Sequence, residues 1–268
     1  MNTLTILSVF VLLSLPSADS DLLEFQYDGP GLALITPLDG GIIAIPRGYG
    51  TILYLERGNA ARYIPWKWDE STYCSAPSSC GDSAAVCINR RGSDYIILFS
   101  PDSLLEFHGP FGNAGRPVFD ASGNLWFTAD GFLHKNGVST GIELEFHTIS
   151  VDPSGNLVAF CDRDDRICIL NIADEVYSVL AAGYRFYSPV FVTCRENLLI
   201  IAPTLEGEIV RISPVGGTCT SLAQGSMPFW WSENETILYS VTSDDGHTIT
   251  AGEIWSISPY GVSQQITF

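Results

Sequence analysis

One strand–turn–strand unit recurs along this chain, and a repeat of that kind limits the fold more than any other feature. VDPSGNLVAF, from Val151 to Phe160, reads as a strand, a turn at Asp152-Pro153-Ser154-Gly155, and a second strand. Relatives of it begin at Ile35 (ITPLDGGIIAI), Phe119 (FDASGNLWFT), Phe191 (FVTCRENLLIIA) and Phe229 (FWWSENETILYS). Gly40, Gly123 and Gly155 can take the positive φ of a tight reversal, and Asp39, Asp120 and Asp152 can bond the turn's own amides. The turns at CREN and ENET lack the glycine and are expected to be looser. Taking the turn between first and second strands as marker, units fall at Gly40, Gly92, Gly123, Gly155, Asn197 and Thr236, at intervals of roughly 30–50 residues.

The last two units each show four strands: SPVFVT, NLLIIAP, GEIVRIS and TCTSLAQ, then PFWWSE, TILYSVTS, GEIWSIS and SQQITF. Near-continuous apolar runs such as TILYL and YIILF suit strands buried on both faces. No amphipathic helix of ten or more residues is legible, and LNIADEVYSVL reads as two strands about a turn. The expectation is an all-β chain, a six-bladed β-propeller of four-stranded antiparallel blades over residues 21–268. A β-sandwich shares the strand count, but six similar units in register favour the propeller.

Residues 1–20 read as a secretory signal peptide, with an apolar run from Leu4 to Leu15 too short to span a bilayer and small residues at Ala18 and Ser20 before a cleavage point at Asp21. No Lys or Arg precedes the run, so a retained anchor is the alternative. The expected location is secreted or periplasmic. Seven cysteines follow, none in a CxxC pair. In an oxidising compartment Cys161 and Cys168 can bridge a hairpin, Cys74 and Cys80 can close one loop, and Cys194 with Cys219 is a third pairing. Cys87, in the apolar run AAVCI, reads as an inert buried thiol.

With 13 Lys plus Arg against 30 Asp plus Glu, the net charge of −17 argues against nucleic acid and anionic membranes as partners. It suits a solvated acidic surface, a cationic partner or calcium. No later stretch is long and apolar enough to be a membrane span.

In a propeller, the second-to-third-strand turns and the connections between blades share one mouth. That face is expected to carry Arg47, Tyr49, Trp66, Trp68, Arg116, Asp130, Arg163, Arg185, Tyr187, Asp244 and His247, a mixture of arginine and aromatic anchors suited to a protein interface or a small-ligand pocket. The segment Trp66–Asp82 reads as an insertion between blades and as a recognition loop.

The last unit resembles the repeat of TolB-like six-bladed propellers, through Pro228, Ser232, the ENET turn, Ile237-Leu238-Tyr239-Ser240, Ile254-Trp255, Gly261 and Ile266-Thr267. The fit runs weakly over residues 30–268, and the family's SPDG turn survives only as a permuted echo at Asp152. SGNLWFTADG also resembles repeats of streptogramin-lyase-like and NHL-type propellers. The resemblance implies a secreted or periplasmic module that binds proteins or peptides through its mouth.

No P-loop, GxSxG, HExxH or comparable catalytic pattern occurs. His108, His134, His147 and His247 are scattered singly. Asp162, Asp164 and Asp165 share one turn but lack the EF-hand pattern, and Arg163 and Arg166 offset them. Three functional readings follow. The first is a non-catalytic binding or scaffold module without a cofactor. The second is a hydrolase or lyase with a channel metal drawn from Asp130, Asp162, Asp244 and His247. The third is a structural subunit that self-associates through blade edges.

Overall fold

The structure is a computed structural model, and it describes residues 11–13, 23–25, 32–38, 41–46, 52–56, 62–64, 71–146, 148–194, 196–231, 235–244, 249–261 and 263–265. Val11–Leu13 (β1) and Leu23–Phe25 (β2) form a two-stranded ladder; the rest of the expected leader and its cleavage point lie outside the described residues. Among the described residues, five antiparallel sheets have four strands each, in chain order. The first is β3 (Leu32–Leu38), β4 (Gly41–Pro46), β5 (Leu53–Glu56) and β6 (Arg62–Tyr63). Between it and the next lies a five-stranded sheet of β7 (Ser71–Cys74), β8 (Ser78–Cys80), β9 (Ser83–Arg90), β10 (Ser93–Phe99) and β11 (Leu104–Phe111). Then come β12 (Val118–Phe119), β13 (Leu125–Ala129), β14 (Phe132–Lys135) and β15 (Val138–Glu143), followed by β16 (Ile149–Val151), β17 (Leu157–Cys161), β18 (Ile167–Asn171) and β19 (Val176–Ala181). The last two are β20 (Val190–Cys194), β21 (Asn197–Pro203), β22 (Glu208–Ile212) and β23 (Cys219–Gln224), and β24 (Ser226–Trp231), β25 (Thr236–Asp244), β26 (Ile249–Ile257) and β27 (Ser263–Gln265).

The four-stranded sheets are blades of a β-propeller, because the cores lie between successive sheets. Alternation along a central strand sends neighbouring side chains to opposite faces. Ala84, Val86 and Ile88 of β9 pack with Ile43, Ile45 and Tyr54 of the preceding blade, while Ala85 and Cys87 pack with Leu125 and Phe127 of the following one. Trp126, between those two on β13, turns the other way, to Val158 and Phe160. Every residue of β13 is buried for this reason. The innermost strands touch in chain order: β3 with β8, β8 with β12, β12 with β16, β16 with β20, and β20 with β24.

The five-stranded sheet departs from the expected pattern. β7 and β8 both pair with β9, end to end, and the break between them is bridged by Ser75. Its N–H donates to the Cys87 carbonyl at 2.8 Å, and its hydroxyl accepts the Cys87 N–H at 3.0 Å. Pro77, which has no N–H, falls in the break. From Ser71 onward the expected insertion is therefore strand paired within its own sheet, and not an inserted loop. The turn at Gly92 joins β9 to β10, so it sits at the opposite end from the other markers. The first-to-second-strand turn of this blade is at Gly81 (φ 60°), which brings the neighbouring marker spacings to roughly 40 residues.

At that end Asp120 and Asp152 do bond their turn amides. Asp120 Oδ1 accepts from Ser122 and Asn124 N–H, both at 2.9 Å, and Asp152 Oδ1 accepts from Asn156 at 2.8 Å and Leu157 at 2.6 Å. Gly123 and Gly155 have φ of 78° and 71°. The expected difference in tightness is reversed for the CREN turn. Cys194 pairs directly with Asn197, whereas the aspartate turns join Phe119 to Leu125 and Val151 to Val158.

None of the seven cysteines is in a disulfide, and the strand geometry separates the three expected pairs. Cys161 faces Ile167 and Cys168 faces Phe160, so the two sulfurs point to opposite faces of the sheet, into different cores. Cys74 and Cys80 lie along one extended path, about 20 Å apart at strand rise, and Cys194 and Cys219 are on the first and last strands of one blade, about 14 Å apart, against a limit near 7 Å for a bridge. Burial pushes the Cys74, Cys87, Cys161 and Cys168 thiols up to about 12, which matches the inert thiol expected at Cys87.

Candidate functional site

The mouth is built from turns that join second to third strands and from connections between blades. Asp130 and Gly131 turn β13 into β14 with φ of 51° and 85°. Asp130 Oδ1 accepts from the Gly112 and Asn113 N–H groups at 2.8 and 3.1 Å, and its own N–H donates to the Asn113 carbonyl at 2.8 Å. Ala114 bridges Ala129, and Gly115 N–H donates to the Thr128 carbonyl at 2.8 Å. The β11–β12 connection is thus strapped to the end of β13.

Two blades on, the β19–β20 connection repeats the arrangement. Phe186 bridges Thr204, Tyr187 N–H donates to the Pro203 carbonyl at 3.1 Å, and Leu205 N–H donates to the Arg185 carbonyl at 2.9 Å. The mouth therefore has a backbone held by hydrogen bonds between loops, with side chains projecting from it.

Those side chains divide into committed and uncommitted groups. Asp162, in the β17–β18 turn, is fully committed. Its Oδ1 accepts from Asp164 and Arg166 N–H, both at 3.0 Å, and its Oδ2 takes Arg166 Nε at 2.8 Å and Nη2 at 2.6 Å. Burial opposes the charge, but these hydrogen bonds outweigh it and hold the carboxyl below its ordinary value. A cation at Asp162 has to displace a bidentate guanidinium. Arg163 projects outward and pairs with Glu145 Oε2, with side-chain exposures of 81% and 66%. Arg185 Nε lies 3.6 Å from Asp165 Oδ2 in a second exposed pair.

An open depression of about 580 Å³ lies here, lined by Asn113, Asp130, Gly131, Glu145, Phe146 and Arg163. Phe146 is half-buried and its ring stacks on Phe160 at 4.9 Å between centroids. Of the residues expected at the mouth, Asp130 and Arg163 meet in this depression. Arg185 pairs beside the next blade. Tyr187 is partly buried, which pushes its phenol up. Arg116 Nη2 donates to the Pro77 carbonyl at 3.3 Å, so it ties the break between β7 and β8 to the β11–β12 connection. Arg47, Tyr49, Trp66, Trp68 and His247 lie outside the described residues, as does the side chain of Asp244. Among the described residues no group of three or more His, Cys, Asp or Glu is arranged to hold a metal, and no helix is long and apolar enough to cross a membrane.

Asn113, Glu145 and Phe146 were not singled out from the sequence. They sit in connections just ahead of β12 and β16, the same place in the repeat as Arg185 and Tyr187 ahead of β20, and that repeat position was the available signal.

In its backbone the chain is similar to the tricorn protease, with a TM-score of 0.55 at 10% identity over 88% of this chain and 34% of that one. It is similar also to a chain of the mitotic checkpoint complex, with a TM-score of 0.56 at 12% identity over 87% and 76%. The likeness is one of fold. The chain spans about a third of the tricorn protease chain, and at such identities a shared β-propeller carries no activity with it. No protein-family model matches the sequence, and no curated protein matches it significantly.

Proposed function

We propose that this chain is a secreted or periplasmic six-bladed propeller, TolB-like in its repeat, that works as a non-catalytic protein- or peptide-binding module through the mouth just described. The sheet β7–β11 counts as the sixth blade in this reading, with β8 taking the inner position between β3 and β12. The observation that carries the function is the pairing of a fixed backbone with exposed charged side chains. The connections are strapped to strand ends, so little loop entropy is lost on docking. Glu145–Arg163 and Asp165–Arg185 are surface pairs, each worth only about 0.2–1 kcal/mol, and they can exchange partners readily. Tyr184 and Leu205, both exposed, stand beside them.

The test is capture from the extracellular or periplasmic fraction of the source, using the mature chain, a Tyr184→Ala/Arg185→Ala variant of the mouth, and a Val215→Ser variant at the opposite end. Capture by wild type and Val215→Ser but not by the mouth variant supports the reading. Equal capture by all three removes the mouth as the binding face, and capture by none removes the binding function.

Self-association is favoured by one observation. The outer edge strand β19 exposes Val176, Tyr177 and Val179, and an apolar free edge is a template for pairing. A monomer at all concentrations in sedimentation equilibrium rules it out.

A further inference from the structure

We propose that the depression between the blades β12–β15 and β16–β19 receives an arginine side chain of the bound partner, and that Arg163 occupies its place in the free protein. The proposal rests on the reading of the mouth as a protein-binding face and names the chemistry of one of its subsites.

The walls carry carboxylates from two separate segments with acceptor capacity to spare. Asp130 spends Oδ1 on the Gly112 and Asn113 amides, and Oδ2 accepts nothing among the described residues. Glu145 spends Oε2 on Arg163, and Oε1 accepts nothing among the described residues. A carboxylate offers about four lone-pair sites, so each can take a further N–H donor. Phe146 supplies a planar apolar wall held by its stack on Phe160. Carboxylate acceptors beside an aromatic ring suit a guanidinium, which donates in a planar fork and packs flat on rings. An ammonium does neither as well.

The depression also contains a guanidinium already, that of Arg163, on Glu145. That side chain is 81% exposed, so solvent screening leaves its pairing weak and an incoming arginine displaces it at small cost. The net charge of −17 draws cationic segments toward the molecule as a whole.

The experiment is fluorescence anisotropy with labelled hexa-arginine and hexa-lysine, at a salt concentration high enough to screen long-range attraction. The proteins are wild type, Arg163→Ala, Glu145→Gln, Asp130→Asn and Arg62→Ala. Arg62 lies on the outer strand β6, so its removal changes net charge by the same amount as that of Arg163, away from the mouth. Asp130→Asn keeps a carbonyl oxygen for the two amides and removes the charge. The expected result is that Arg163→Ala tightens hexa-arginine about three-fold to five-fold, that Glu145→Gln and Asp130→Asn each weaken it by about the same factor, and that Arg62→Ala moves it less than about 1.5-fold. Hexa-lysine binds about three-fold more weakly than hexa-arginine and is less sensitive to Arg163→Ala. Equal effects of Arg163→Ala and Arg62→Ala, or no effect of Glu145→Gln, overturn the proposal. The capture experiment alters Tyr184 and Arg185, which lie outside this depression. Its success beside failure here removes only the arginine subsite, and its failure removes the binding face itself.

Discussion

At the end of the propeller where first and second strands join, Asp120 spends both carboxylate oxygens. Oδ1 takes two turn amides, and Oδ2 takes Asn124 Nδ2 at 2.8 Å and the Trp126 indole N–H at 3.0 Å. The next blade's turn then closes over it: Ala121 N–H donates to the Pro153 carbonyl at 3.1 Å, and Gly155 lies directly against Oδ2. At the opposite end Asp130 spends one oxygen on a neighbouring connection and keeps the other, with the depression open beside it. Both residues are aspartates at a blade turn that bond backbone amides. The difference lies in what remains after the turn is built. Asp120 has no valence left for a ligand and is buried at 4% exposure, so it joins blades. Asp130 has valence left and is solvent-facing, so it can take part in recognition. Asp162 shows that the end alone does not decide the role, because it lies at the mouth and is spent as completely as Asp120.

The largest effect expected from this contrast is at a pair of glycines with similar backbone. Gly155 has φ 71° and Gly131 has φ 85°. A Cβ on Gly155 falls 2.8 Å from Asp120 Oδ2, a carboxylate pinned by four hydrogen bonds, while a Cβ on Gly131 meets nothing within 4 Å. Gly155→Ala is expected to destabilise by about 2–4 kcal/mol, combining left-handed strain with displacement of a buried carboxylate. Gly131→Ala carries the strain alone, about 1–2 kcal/mol. Denaturant midpoints of the two variants measure the difference, and equal losses break the contrast between the ends.

The next effect is electrostatic. Burial works against the charge of Asp120, but the bonds from Trp126, Asn124 and Ser122 outweigh it and hold the carboxyl below its ordinary value of 3.8. A depressed folded-state value means stabilisation that is complete above the unfolded-state value and is lost as pH falls through the folded one. Asp120→Asn keeps one acceptor oxygen and loses the bonds at the other, at a cost of about 1–2 kcal/mol at neutral pH. The gap between wild type and variant is expected to narrow below about pH 4. Chemical denaturation at pH 7 and at pH 3 reads this directly, and a gap constant with pH removes the charge of Asp120 from the account.

The legibility of the sequence follows the same division. The aspartate turns could be read because their bonds are local, from Asp120 to Ser122 and Asn124, and the residue types declare that chemistry. The central strands could be read because burial on both faces produces continuous apolar runs. The inner strands of the five-stranded sheet were hidden: Ser71–Cys80 is rich in Ser and Cys, contains Pro77, and is kept in the sheet by a bond that the Ser75 hydroxyl accepts from Cys87 N–H and that no periodicity announces. That concealment moved one marker to Gly92 and turned a strand into an expected loop. The cysteine pairings failed on register, since one residue's offset in an antiparallel ladder puts Cys161 and Cys168 on opposite faces. At the mouth, Asp130 and Arg163 were named from their positions in turns, but Glu145 and Phe146 enter only through packing between adjacent blades.

The smallest effect on stability is expected at Arg163, whose removal is nevertheless expected to change binding. Arg163 is 81% exposed and its partner Glu145 is 66% exposed, so Arg163→Ala should change stability by less than about 0.5 kcal/mol. Arg166→Ala, three residues on, strips Asp162 Oδ2 of two guanidinium N–H donors and leaves the carboxylate at 10% side-chain exposure with its two amides and the weak Cys168 thiol donor, for which a loss of about 1–2 kcal/mol is expected. The two arginines thus separate scaffold from recognition within a single turn. Arg166→Ala lowers the denaturant midpoint with peptide binding altered only through folding. Arg163→Ala leaves the midpoint in place and changes hexa-arginine affinity. If both variants lower the midpoint equally, Arg163 belongs to the scaffold, and the division between spent and unspent side chains does not extend to this turn.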